Sequence, residues 1–397
     1  MKVIILNNDF RVYWKGRLTY LHHFLLSRDI TLYAVELFGK GLPYRFDEHN
    51  SYDNPWLKCL FPQQASEELS SKKIKQNLFV ILDAINPDII IAPSIVFYAG
   101  ALGLRWAKKN KKKFIMFDDA LPWQVERNFL VQSIKSLIIS QADALWFPTI
   151  EYAAEFKYFL EKKMHIFYGY NCVDNLFFKR NENYSDTKII LCVARLVPVK
   201  NIDGLLKCWQ QIEKMNSGYK LFIVGDGPLY EDLKTLKNNL NLTTVEFSGA
   251  VDYSRIDTFY RAASAFILPS LSESWGLVVN EAMAAALPVL LSYKVNAHRA
   301  LLNESVNGFG FNPSDVQDIS RAILKFIHSD AVTKQSMSAN SVKIINDMSY
   351  EKMALQLLDT LDLINKQEFK KPSLLALAII NFWYGRYNKT GWYTSSK

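Results

Sequence analysis

The stretch PSLSESWGLVVNEAM, from Pro269 to Met283, holds two carboxylates, Glu273 and Glu281, on either side of a Gly-Leu-Val-Val run. A buried strand, AFILPS, is expected just before it, and LVVNEAMAAA has helical length and composition and ends ahead of Pro288, so a helix should start at Gly276. The N–H groups and positive dipole end at Gly276, Leu277 and Val278 offer a place for an anion. Glu281 follows Leu277 by one helical turn on the same face, within reach of a hydroxyl beside that anion. Glu273 stands in the loop ahead of the glycine. Plainer readings remain: a first-turn capping acid for Glu273, a solvent-facing residue for Glu281.

A second group of candidates follows the strand IILCVA. The loop RLVPVKN carries Arg195 and Lys200, with Pro198 stiffening the turn between them. A planar guanidinium and a mobile ammonium suit a diphosphate, although strand-end cations also serve simply as solvated surface. The next strand ends in GDGP, where Gly225 and Gly227 permit conformations or close approaches that side chains forbid, or form only a tight turn. Two cations, two acids and a helix N-terminus together suit a ligand both phosphorylated and rich in hydroxyls.

These residues need a scaffold of buried strands that deliver their loops to one edge. In the first half VIIL, ITLYAVEL, DIIIAPS, KFIMFDD and ALWFPT read as strands, with helical patterns such as GRLTYLHHFLLS and KKIKQNLFVILDAI between them. After an Asn-rich stretch, with a linker near residues 178–187, the pattern restarts with IILCVARL, YKLFIVGDGP, TVEFSGAV, AFILPS and LPVLLS. The length of 397 residues exceeds one comfortable core, so two parallel α/β domains are expected, 1–180 and 188–350, followed by a segment 351–397. Neither half shows a Gly-x-Gly-x-x-Gly turn or a P-loop, and ligands of open α/β sheets collect at the carboxyl ends of the strands.

Composition sets bounds on function. With 49% hydrophobic and 22% charged residues the chain is globular, not disordered or fibrous. Cys59, Cys172, Cys192 and Cys208 are widely spaced and form no zinc or disulfide pattern, so buried thiols and no bound metal are expected. His22 and His23 fall in an apolar helix pattern as packing residues. The start, MKVIILNNDF, lacks a signal peptide's apolar core and reads as a strand, so a cytoplasmic protein is expected. The net charge of +8 concentrates at the ends, in KKNKKKF at Lys108–Phe114 and in a tail whose SLLALAIINFWYGRY mixes apolar and basic residues. Too short to span a bilayer, the tail either packs on the first domain or lies on an anionic membrane surface; no nucleic-acid partner is expected.

VARLVPVKNIDGLL, LFIVGDGPLYEDL, VEFSGAV and AFILPSLSESWGLVVNEAMAAALPVLLS resemble, in order and spacing, the C-terminal domain of glycosyltransferase family 4, retaining enzymes of the GT-B fold; YNCVDNLFF resembles the segment before it. The resemblance covers about residues 188–350, and Glu273 and Glu281 match the family's E-x7-E pair. It implies two doubly wound Rossmann-like domains facing an interdomain cleft, with a C-terminal helix in 351–397 that crosses back to the first domain. It further implies sugar transfer from a UDP- or GDP-linked donor to a glycan or lipid-linked acceptor hydroxyl, with retention and no required metal or further cofactor. Arg195 and Lys200 match the diphosphate-binding pair, Glu281 the ribose-binding acid, Glu273 the acid beside the donor sugar, and the backbone of Gly276, Leu277 and Val278 the phosphate and sugar contacts.

The sequence departs from the family in three places. A single Gly16, between Lys15 and Arg17, stands where a Gly-Gly loop is common; Asp118 and Asp119 stand where many members carry a His; His298 and Arg299 stand where an acid usually follows. Asp118 or Asp119 is expected either to bond a sugar hydroxyl or take the acceptor's proton, or to fix its own loop. Two other readings compete: a nucleotide-sugar-binding partner subunit without transfer, and an epimerase or phosphorylase of the same fold.

Overall fold

A computed structural model of the chain describes residues 1–10, 12–40, 54–121, 129–156, 164–180 and 186–385. Two compact units divide the described residues: Met1–Tyr170 with residues 350–385, and Asn171–Ser349.

The first unit is built on strands β1 (Lys2–Asn7), β2 (Thr31–Phe38), β3 (Leu57–Phe61), β4 (Ile89–Pro93), β5 (Lys113–Phe117), β6 (Ala144–Phe147) and β7 (His165–Tyr168). Their order is β3-β2-β1-β4-β5-β6-β7, and all neighbours run parallel. Central strands are apolar throughout because helices cover both faces; Val3, Ile4, Ile5 and Leu6 of β1 are fully buried, as is the Ile89–Ile91 run of β4. Helix α1 (Val12–Leu26) turns Leu18, Leu21 and Leu25 into the core at one-turn spacing, each side chain worth about 1.5–3 kcal/mol on burial. Helix α2 (Ser71–Ile85) is started by the Ser70 hydroxyl, which accepts from Lys73 N at 3.2 Å, and stopped by Asn86 in the left-handed region. Helix α3 (Tyr98–Lys109) packs on β4 and β5.

The second unit carries β8 (Ile189–Val193), β9 (Lys220–Val224), β10 (Val245–Gly249), β11 (Ala265–Leu268), β12 (Val289–Ser292) and β13 (Gly308–Phe311), ordered β10-β9-β8-β11-β12-β13 and again parallel. The order reverses between β8 and β11. Successive strands move outward from β8 in one direction up to β10, then resume on its other side with β11, so the loops leaving β8 and β11 part there and leave a crevice at their carboxyl ends.

All ten strands expected from sequence form. The ones the sequence did not announce, β3, β7 and β13, are short edge-region strands; β13 reads Gly-Phe-Gly-Phe, and Gly308 is needed because any Cβ there would collide with the Val289 carbonyl oxygen. The chain enters the second unit at Asn171, before the linker expected near 178–187, part of which lies outside the described residues. Polar anchoring explains the earlier entry. Asn171 O accepts from Asn280 Nδ2 at 2.9 Å, Asn175 Nδ2 donates to Ile345 O at 3.2 Å, and Arg180 donates to the Arg261 and Ala263 carbonyls.

From Tyr350 the chain rejoins the first unit through helix α14 (Tyr350–Asn365), which packs on α1 and β7; Tyr168 N donates to Gln356 Oε1 at 3.1 Å. Gly16 lies inside α1, not in a ligand loop as the family pattern would have it, and its missing side chain makes room for the Tyr350 hydroxyl. Helix α15 (Leu374–Phe382) then packs on α3 and on α4 (Phe129–Ile139), and Trp383 Nε1 donates to Ile95 O at 2.7 Å. The described part of the tail thus packs on the first domain through one side of α15; residues 386–397 lie outside the described residues.

Candidate active site

Of the acids and cations singled out from the sequence, the loops after β8 and β11 of the second unit bring Lys200 and Glu273 into contact. After β8 the chain passes Arg195 and makes a 3-10 turn at Pro198–Lys200, closed by Lys200 N donating to Val197 O at 3.0 Å. Asn201 sits in the left-handed region, and its amide donates to Pro313 O at 2.8 Å and Pro269 O at 3.3 Å. Leu271 N in turn donates to Val199 O at 2.8 Å. The β8 loop and the β11 loop are thus tied together by backbone and amide bonds, and this brings Lys200 to Glu273.

Lys200 Nζ and Glu273 Oε1 form an ion pair, and the same oxygen accepts from Ser270 Oγ at 3.0 Å. Side-chain exposures of 17% and 15% keep both groups at the surface of the crevice, so a ligand can meet either. The Glu273 backbone is held as well: its N–H donates to Lys294 O at 3.1 Å, an isolated bridge to Val295. Its carboxylate thus engages Lys200 and Ser270, on the loops after β8 and β11.

Helix α10 (Leu277–Ala284) begins at Gly276, whose φ of 101° lies where glycine is favoured. A Cβ there would also press on Val295 Cγ1 at 3.1 Å. Leu277 and Val278 lie in the first turn, where backbone N–H groups have no partner within the helix itself. Trp275 Nε1 donates to Asn280 Oδ1 at 2.8 Å, and Asn280 passes the link on to Asn171 O, so the start of α10 is held by buried side chains.

Glu281 is not solvent-facing: it is 1% exposed, and its Oε2 accepts from the Tyr260 hydroxyl at 2.6 Å. Tyr260, on helix α9 (Ile256–Ala262), is itself fully buried. No sequence signal marked Tyr260 or Asn201 as partners, because each bond spans elements that only the fold brings together; Ser270 stands three residues before Glu273 in the same loop, and nothing in the residue pattern singled it out.

Arg195 is half-buried on the same loop as Lys200. Gly225, with φ 138°, and Gly227 let the β9 loop pack directly on it: Leu196 N donates to Asp226 O at 3.0 Å, and Leu229 N to Leu196 O at 3.1 Å. Both glycines allow close backbone approach: a Cβ at Gly225 would meet Ala194 O, and one at Gly227 would meet Leu196 O. His298 Nδ1 bonds Val295 O at 2.8 Å, and burial holds its pKa below the ordinary value.

Asp118 and Asp119 belong to the first unit, immediately after β5. Asp118 Oδ1 accepts from Ala120 N at 3.0 Å, the loop-fixing bond expected of a strand-end acid. Both acids lie near the buried Tyr170, whose hydroxyl is pushed well above its usual pKa by burial first and then by Asp119 and Asp118.

Residues 173–343 match the family model described as glycosyl transferases group 1. An uncharacterized glycosyltransferase of Methanocaldococcus jannaschii is 26% identical over 173 residues, 44% of this chain and 47% of that protein. The chain spans under half the length of the curated relatives it matches. Among solved structures, the sucrose-phosphate synthase of Thermosynechococcus elongatus superposes over 92% of this chain and 99% of its own, with TM-score 0.73 at 17% identity. Anabaena HepE, solved in complex with UDP, covers 91% and 100% with TM-score 0.69 at 15% identity. The chain has the GT-B fold, and its second unit carries a segment matching the glycosyl transferases group 1.

Proposed function

We propose that the protein is a retaining glycosyltransferase of family 4. It would move a sugar from a nucleotide-diphosphate donor to an acceptor hydroxyl during synthesis of a cell-surface polysaccharide, lipopolysaccharide or glycolipid, acting at the cytoplasmic membrane face. The observation that carries this reading is the Lys200–Glu273 pair at the strand-order reversal, inside the segment that matches the family model. A diphosphate entering the crevice competes with Glu273 for Lys200 and gains the Arg195 guanidinium and the first turn of α10 at Gly276, Leu277 and Val278. Glu281 takes a ribose hydroxyl at its edge, and Glu273, released from Lys200, takes the donor sugar.

In the reaction the bond between the anomeric carbon and the diphosphate oxygen breaks, and its electron pair leaves with the diphosphate. The acceptor oxygen bonds the same face of that carbon. Its proton passes to a departing phosphate oxygen or to Asp118 or Asp119, the acceptor-side acids of this proposal. Lys200 and Arg195 stabilise the charge that grows on the leaving group, where preorganised donors contribute most. No metal and no cofactor besides the donor is assigned. The UDP complex of HepE supports a uridine donor as the first to test.

The test is a thermal-shift screen of UDP- and GDP-sugars on wild type and Lys200→Ala, followed by NMR of the product anomer. One donor should stabilise the wild type and not the variant, and the product should keep the donor's anomeric configuration. Inversion would remove the retaining mechanism, and a panel with no binder would remove the donor reading.

A further inference from the structure

Helix α15 buries one side only. Ala376 and Ile380 are 0% and 2% exposed against α3 and α4, whereas Leu374, Leu375 and Phe382 are 86%, 65% and 85% exposed. Single exposed apolar residues are ordinary, but three large ones on a nine-residue helix, which also exposes Asn381, form an apolar patch. The helix is fixed in place, by the Ser373 hydroxyl accepting from Ala376 N at 3.2 Å and by the Trp383 indole on Ile95 O, so the apolar side is presented by a rigid mount.

Its surroundings are basic. Lys113 Nζ donates to Glu368 O at 2.8 Å and Lys108 Nζ lies 5.3 Å from the Phe369 ring centre, which lays the Lys108–Lys113 run beside the segment leading into α15. Lys109, Lys111, Lys366 and Lys371 are exposed there, and Lys370, also exposed, donates from Nζ to Ser140 O at 3.2 Å; the exposed carboxylates alongside are Glu368 and, one turn before Lys366, Asp362.

We infer that the outer side of α15, with the flanking lysines of Lys109–Lys111 and Lys366–Lys371, is a docking surface for an anionic bilayer. Leucines and Phe382 enter the boundary between headgroups and acyl chains, and the ammonium groups meet the lipid phosphates. A second copy of the chain is the poorer occupant: pairing this surface with itself about a two-fold axis sets one lysine belt against another. The inference does not rest on the transfer reaction, because binding to lipid is read without donor or acceptor.

The experiment is flotation of the full chain with phosphatidylcholine vesicles, with and without phosphatidylglycerol. It compares wild type, a Leu374→Ser/Leu375→Ser/Phe382→Ser variant and a Lys366→Glu/Lys371→Glu variant. The wild type should bind anionic vesicles at least about tenfold better than neutral ones, and each variant should lose about tenfold of that binding. Every changed side chain is exposed, and matched melting temperatures verify the fold. Two outcomes overturn the inference: variants that float like wild type, or a wild type that ignores vesicles but forms a dimer dissolved by the serine changes.

Discussion

The Tyr260 hydroxyl donates a 2.6 Å hydrogen bond to Glu281 between two helices, with Tyr260 fully buried and Glu281 1% exposed. A carboxylate taken out of water needs such donors. Replacing Tyr260 by Phe keeps the shape and removes the donor, and a hydrogen bond to a charged group is worth about 1.5–3 kcal/mol. Tyr260→Phe should lower unfolding stability by that amount in urea denaturation, and much less in a Glu281→Gln background. Equal losses in both backgrounds would show that the pair is not coupled.

Lys200 and Glu273 make separable contributions on the proposed reading. Lys200→Ala should weaken nucleotide binding by about tenfold or more, since it removes a cation from the diphosphate. Glu273→Gln should leave calorimetric nucleotide affinity within about threefold, or raise it by freeing Lys200, while lowering turnover by about a hundredfold or more. If Glu273→Gln lost binding and turnover in equal measure, the acid would serve the nucleotide and not the sugar.

The second sheet and its loops were legible because buried parallel strands read as uninterrupted apolar runs, and Glu273, Arg195 and Lys200 follow directly after such runs. What the sequence could not carry was pairing across the sheet. IILCVA and AFILPS are far apart in the chain, and only the order β9-β8-β11 makes them neighbours and so joins Lys200 to Glu273. Burial of Glu281 was invisible for the same reason: a helix with alanines and valines on all sides has no marked polar face from which to judge orientation. The entry into the second unit at Asn171 escaped because it depends on long-range amide bonds, such as Asn280 to Asn171, rather than on composition.

Gly225 supports the Arg195 loop by being without a side chain. Its φ is 138°, and a Cβ would collide with the Ala194 carbonyl oxygen, a backbone atom that cannot swing away. Gly225→Ala therefore combines backbone strain with a clash and should cost about 2 kcal/mol or more. It should also weaken nucleotide binding, because Ala194 precedes Arg195. Full stability in the purified variant, read from its denaturation midpoint, would refute the close-packing account.

Glu36 sets an acid-dependent part of the first unit's stability. It lies near the end of β2, 2% exposed, with Oε2 accepting from Phe10 N at 2.5 Å in the loop between β1 and α1. Burial, the largest cause, raises its pKa from 4.5 to about 7; the Phe10 bond opposes this, Asp9 adds to it, and the Cys59 thiol and Lys15 lower it. The folded protein thus keeps a proton that the unfolded chain releases near 4.5, so stability falls as pH rises from there to about 7. The shift corresponds to roughly 3 kcal/mol in all. Urea midpoints of wild type and Glu36→Gln, measured at about pH 5 and about pH 8, should therefore diverge: the glutamine, which cannot ionise, should gain relative to wild type as pH rises. Parallel pH profiles for the two proteins would mean that Glu36 is already ionised in the folded state throughout that range.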